Sequence, residues 1–464
     1  MNSTMIALGI ASVMIMLGLW LRAKVKPLGK MLVPTCVIGG ILGLIFMNVI
    51  APHIPMGGVD VDIYTNIVNV LFTISFIAIG LSSSEEEKTE KNADGKKQSG
   101  MVRGALGMGI IWSLLYGLTS IIGVLLIGII GKPLGMDAMY GILIPFGFCQ
   151  GPGQAATYGT IFADLYGYQN ADMVAISFAV IGFIFAFLFG VPLAKYGIKK
   201  GYTKYKTTIN ESVERGILYP KEQKESMGTV TTHSANIESL AVHVAVICIC
   251  YLLGLGIAEV IAMIPAVGES FAAMTFLWGM MAASIVKSIM KKLGIYYLLS
   301  SPMVGKITGL TSDYLVVCAF MAIQMSTIGV WIVPILVECL ICAIITFVIC
   351  FYFGARLGSD HDFERILGLY GTSTGTVPSG VALVRMVDTR LKTPTTIELG
   401  MMNMAMMLNT PVMILITLAG LGTISLMPAL AGIAVCIIVF LILLKVTGCW
   451  RKPEFTLKNG YVNK

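Results

Sequence analysis

The sequence predicts an all-α polytopic membrane protein made of two inverted repeats. Each repeat has five transmembrane helices and one re-entrant loop, and one extra C-terminal helix follows. Three observations predict this. Apolar runs of about 20 residues, long enough to cross a bilayer core, recur along the whole chain of 464 residues. Only 12% of the residues are charged and 56% are apolar, whereas an ordinary soluble domain carries about 25% charged residues. Finally, two stretches crowded with Gly, Pro, Gln and Thr stand in corresponding places of the two halves.

Residues 1–200 form the first repeat. Its first span, about Thr4 to Leu21, lacks a basic n-region and a clear cleavage site, so it reads as an uncleaved span. Arg22, Lys24, Lys26 and Lys30 follow with no acid among them, which places this loop in the cytoplasm and the N-terminus outside. The second span, about Met31 to Ile50, carries Gly39-Gly40, where another helix backbone can come close. The third, about Ile63 to Leu81, puts Asn66 and Asn69 on one helix face. Ser82 to Gly100 reads as a charge-dense, solvated tether. The fourth span runs about Gly104 to Ile130, the re-entrant loop covers 140–168, and the fifth span runs about Met173 to Ala194.

The polar stretch 201–239 is a cytoplasmic linker, and 240–420 form the second repeat. Its spans fall at about Leu240 to Met263, Phe271 to Val286, Thr308 to Gln324, Val333 to Phe353 and Ile397 to Leu418, with the re-entrant loop at 366–392. Lys287, Lys291 and Lys292 mark one inner loop, and Arg356 and Arg365 the next. An odd number of spans per half inverts the second repeat, so the two loops enter from opposite sides. Residues 421–464 add a span at Met427 to Leu444 and a tail whose Lys445, Arg451 and Lys452 make it cytoplasmic. The net charge of +7 lies largely in such short loops. It therefore orients the chain in the lipid bilayer and gives no reason to expect a nucleic-acid partner.

Gly147 to Gly167 (GFCQGPGQAATYGTIFADLYG) and Gly368 to Asp388 (GLYGTSTGTVPSGVALVRMVD) carry the chemistry. Irregular backbone at membrane depth survives only where protein or a water-filled cavity satisfies it. Paired interruptions of this kind point to a transporter's binding site. Broken helices offer N-terminal N–H groups to a carboxylate; unwound carbonyls and hydroxyls offer hard oxygens to sodium. The candidate substrate and ion residues are Gln150, Gly151, Gly153, Gln154, Thr157, Thr372, Ser373, Thr374, Gly375, Thr376 and Ser379, with Asn403 and Asn409 on the following helix. The plainer reading, packing hinges in a helix bundle, suits one such stretch better than two in register.

Glu338 is the one carboxylate clearly inside a span, and so a candidate ion or proton site. Glu398 begins its span and can face the interface. Arg385 reads as a snorkelling anchor or a substrate clamp, and His243 as a buried helix histidine. The ten cysteines are scattered as small buried hydrophobes. Cys339 and Cys342 form a CxxC with no His or second pair nearby, so no metal site beyond transported sodium is expected. Nor is there a nucleotide motif or nucleophile–base set: the chain does not read as an enzyme and needs no cofactor.

At several of these places the chain resembles the bacterial sodium/glutamate symporter family, over about residues 30 to 420. The features are Gly39-Gly40, the FxAIGL of Phe76 to Leu81, the stretch from Gly151 through Leu165 to Ala171, Gly190 to Pro192, and Gly371 to Pro378. The resemblance implies inverted five-helix repeats, a homodimer, sodium-driven glutamate transport and an elevator-like motion. Where the family's first hairpin reads close to GHGTG, this chain has Gly151-Pro152-Gly153-Gln154-Ala155. Where the second reads like GFGLGATP, it has Gly371 to Pro378; Asn409 stands where an Asp is usual. The expectation is a sodium-coupled glutamate symporter of the bacterial plasma membrane. The alternatives are a sodium- or proton-coupled carrier of another small organic anion, and a non-transporting sensor or channel of the same fold.

Overall fold

The computed structural model describes residues 3–54, 59–82, 95–205, 214–220, 228–265, 268–389, 392–402, 407–456 and 460–461. In chain order the principal helices are α1 (Ser3–Lys24), α2 (Thr35–Ile45), α3 (Val61–Leu81), α4 (Gly95–Leu126), α5 (Ile144–Phe148), α6 (Pro152–Asp164), α7 (Ala171–Lys200) and α8 (Ser239–Ala262). They continue as α9 (Thr275–Lys292), α10 (Ser301–Met321), α11 (Ile332–Gly354), α12 (Asp362–Ser373), α13 (Val377–Val387), α14 (Thr395–Met402), α15 (Thr410–Gly420) and α16 (Leu426–Val446). One order recurs: three helices, a long helix, two short helices around a break, then a further helix that is whole as α7 and bent as α14 and α15.

Among the described residues nine helices are long and apolar enough to cross a membrane, or ten if the bent pair α14–α15 counts as one span. The sequence reading expected eleven. The difference lies at α9, which begins later than the expected Phe271 and takes Lys287, Lys291 and Lys292 into its last turns. Lysine is a good helix former, so the helix runs on until Gly294, at φ +71°, caps it. A second expectation also fails in part: Gly95 to Gly100 are helical, as the start of α4, and not part of a loop. The rest of that stretch, 83–94, lies outside the described residues.

The helices fall into two compact units. The first takes Met1–Met16, Gly39–Ala93 and Ile217–Ala322. In it α3 packs against α9 and α10, and α9 against α8, around Ile77, Leu81, Ile247, Ala283 and Val304. Gly39 sits where a Cβ would come within 2.7 Å of the Met14 carbonyl oxygen, so bare backbone is what lets α1 and α2 meet. Asn66 is exposed and Asn69 half-buried. His243 is fully buried. Its Nε2 accepts from the Ser300 N–H, leaving Nδ1 to donate to the Ser239 carbonyl, both at 2.7 Å. It is a structural histidine.

The second unit takes Leu17–Ile38, Asp94–Gly216 and Ile323–Lys464. Here α4 packs on α11, α14 and α16, while α7 packs on α6, α11, α12 and α13. Val435, Ile438, Val439 and Ile442 of α16 face outward, an apolar surface suited to lipid and costly in water. After α16 the chain forms a two-stranded β-hairpin, Phe455–Thr456 against Gly460–Tyr461. Phe455 packs on the Phe363, Tyr202 and Phe351 rings, and the Tyr461 hydroxyl accepts the Phe363 N–H at 3.0 Å.

Candidate substrate and ion site

The first break follows from residue chemistry. Cys149 ends α5, Gly151 adopts φ +85° and ψ −176°, and Pro152 starts α6. That backbone region is open essentially to glycine alone, and proline at the first helical position gives up only an N–H that would be orphaned there. The Trp112 indole of α4 donates to the Cys149 carbonyl at 2.7 Å, pinning the break to a neighbouring helix. At the second break Thr376 caps α13 in a capping box with Ser379, and Pro378 sits in the first turn.

The two breaks meet. A Cβ on Gly151 would collide with the Thr376 methyl and stand 3.0 Å from the Gly375 carbonyl oxygen. A Cβ on Gly182 of α7 would come within 2.6 Å of the Thr374 carbonyl oxygen. The amino ends of α6 and α13 and the carboxyl ends of α5 and α12 therefore converge beside α7. Partial positive charge for an anion and carbonyl oxygens for a cation lie together.

The side chains divide into two sets. Thr157, Thr372 and Thr374 each donate to a carbonyl four residues back, at 3.0, 2.8 and 2.8 Å. A hydroxyl oxygen can accept as well as donate, which suits this residue type to a ligand. Gln154 and Ser373 are buried, as are Gly151 and Gly153. Gln150 is half-buried, and neither its amide oxygen nor its amide nitrogen has a hydrogen-bond partner among the described residues. The same holds for Asn409, fully buried at the start of α15. Asn403 lies outside the described residues. Arg385 is exposed, which suits an anchor and not a substrate clamp. Glu338 sits apart from the breaks, on α11 against α4.

A charged cluster that the sequence reading missed secures the other end of α12. Arg365 does not mark a solvated inner loop, nor does Glu398 face an interface: both are buried. The Arg365 guanidinium grips Glu398 with two nitrogens, Nε to Oε2 at 2.8 Å and Nη2 to Oε1. Its Nη1 reaches Asp362 Oδ1 at 3.0 Å and Ser359 Oγ at 2.8 Å. Desolvation alone would mark a lone buried arginine as costly; two carboxylates offset it. The Asp362–Arg365 spacing of one helical turn was a readable hint, but Glu398 lies 33 residues away. Nearby, Glu364 accepts from the Lys204 backbone N–H at 2.8 Å, and burial pushes its carboxyl up to about 7. Burial also works to raise Asp360, but hydrogen bonds from Lys204 and His361 hold it below the usual carboxylate range.

Two broken helices meeting tip to tip among membrane-length helices are the arrangement in which membrane carriers build a binding site. The sodium/glutamate symporter family model matches residues 2–393, and the chain belongs to that family. It is 23% identical over 390 residues to the sodium/glutamate symporter of Escherichia coli K12, covering 83% of this chain and 89% of that protein. The Haemophilus influenzae sodium/glutamate symporter is 23% identical over 403 residues, covering 84% and 89%.

Proposed function

We propose that this protein is a secondary active transporter that carries glutamate together with sodium across the bacterial plasma membrane. The contact between Gly151 and Thr376, joining two helix breaks in a member of this family, carries the reading. The amino ends of α6 and α13 receive the substrate carboxylate. Hydroxyl and carbonyl oxygens from Gln150, Gln154, Thr157, Ser373, Thr374, Thr376 and Ser379, with Asn409, complete the substrate and sodium positions. Asn403 belongs to the same proposal. The recurring helix order supports two inverted repeats, 1–200 and 240–420, joined by 201–239, with 421–464 added. The working form is a homodimer with the N-terminus outside and the C-terminus in the cytoplasm, moving by elevator-type alternating access.

The test is labelled glutamate uptake into proteoliposomes with and without an inward sodium gradient. Sodium-dependent accumulation, abolished by Gln154→Ala or Ser373→Ala, is the expected result. Uptake indifferent to sodium would overturn the coupling. The Gly151 to Ala155 sequence departs from the family's usual first hairpin, which favours a related organic anion as the second reading. In that case competition by another small carboxylate would exceed competition by glutamate.

A further inference from the structure

One buried ionisable side chain takes no part in the hairpin tips. Glu338 of α11 is fully buried, and neither carboxyl oxygen has a hydrogen-bond partner among the described residues. A Cβ placed on Gly123 of α4 would strike both Glu338 Oε1 and the Gly141 carbonyl oxygen. A Cβ on Gly141 would in turn strike the Gly123 carbonyl. The two glycines thus let α4 and the turn before α5 pack backbone to backbone, with Glu338 Oε1 close to the Gly141 carbonyl oxygen beside Gly123. Gly123 and Gly141 bring no charge there. Cys339 and Cys342, on the same helix, are the titratable side chains that interact with Glu338.

Glutamine or leucine would fill this volume without the cost of burying an unpaired carboxylate. A carboxyl so placed either keeps its proton and stays neutral or ionises beside a cation. We propose that Glu338 and the Gly141 carbonyl form a monovalent-cation site, distinct from the hairpin tips, that takes a proton or a sodium ion. Trp112 touches the first break and Gly123 touches Glu338. Their separation of eleven positions along α4 sets the two places about 16 Å apart. Gly141 belongs to the 3-10 turn Ala138–Leu143 that leads into α5, so cation occupancy bears directly on the entry limb of the first hairpin. As a coupling site this deepens the transporter reading; as a cation site it can be tested without glutamate.

The experiment uses the purified full chain without substrate. Thermal unfolding is followed while sodium chloride replaces choline chloride, and infrared spectra are recorded alongside. If sodium is the cation, it raises the Tm of the wild type and Glu338→Gln loses a measurable part of that rise. If a proton is the cation, the wild type shows a protonated-carboxyl C=O band that Glu338→Gln lacks. Glu338→Asp keeps a carboxyl and retains either response in weakened form, which carries the test should the glutamine variant fail to fold. Equal sodium responses in all three proteins, with no carboxylic-acid band assignable to position 338, would overturn the site. Failed glutamate uptake with an intact Glu338-dependent response would move the substrate and leave the cation site standing.

Discussion

The two ends of α12 solve opposite problems with the same helix. At its amino end Arg365, Asp362 and Glu398 are buried, and charge-assisted bonds fix them to one another. At its carboxyl end Ser373 to Thr376 carry no formal charge and face the Gly151 break through the Gly375 carbonyl oxygen and the Thr376 methyl. Buried opposite charges hold one geometry strongly, and separating them leaves each uncompensated. Neutral dipoles hold weakly and exchange partners at little cost. Charge therefore sits where α12 is anchored, and neutral dipoles sit at the end proposed to receive the ligand.

The comparison breaks most sharply at the anchor. Arg365→Ala strands two buried carboxylates and is expected to destabilise by about 3–5 kcal/mol, read as a lower denaturation midpoint in detergent. Arg365→Lys keeps the charge, loses the two-pronged grip on Glu398 and falls between. Next comes Glu364, raised from 4.5 to about 7. Its contribution to stability is fully present below pH 4.5 and is lost as pH rises through about 7, an effect of about 3 kcal/mol. Glu364→Gln should flatten that part of the stability–pH curve; an unchanged slope would assign the titration to another group. Gly151→Ala forces a side chain into a glycine-only conformation at a cost of about 1–3 kcal/mol, and should abolish uptake while most of the fold survives. Trp112→Phe removes only the hydrogen bond to Cys149 and should cost about 1 kcal/mol. Its uptake defect should exceed its stability defect if the break must be held in place.

The hairpins were legible because Gly, Pro and Thr interrupt long apolar runs, and a bilayer tolerates such interruptions only where protein or water satisfies the freed backbone. Pro152 and Pro378 even marked where each second limb begins. The anchor was not legible: a lone arginine near an apolar run reads as a topology marker, and its principal partner lies on another helix. The seventh span was misplaced because lysines that suggest a loop also extend a helix. The bend between α14 and α15 escaped notice because Asn and Thr among methionines suit a continuous span as well as an interrupted one. Local sequence reports where backbone is irregular; it does not report which distant side chain neutralises a buried charge.

The hydroxyl that accepts the Phe363 N–H belongs to Tyr461, 98 residues further along the chain. At the usual pace of translation the ribosome needs roughly 5 to 20 seconds to cover that distance. For most of that interval the second hairpin is already made, yet it lacks one of the contacts that finish the amino end of α12. This contact can form only after the intervening residues have been synthesised, so the amino end of α12 is completed as a timed event.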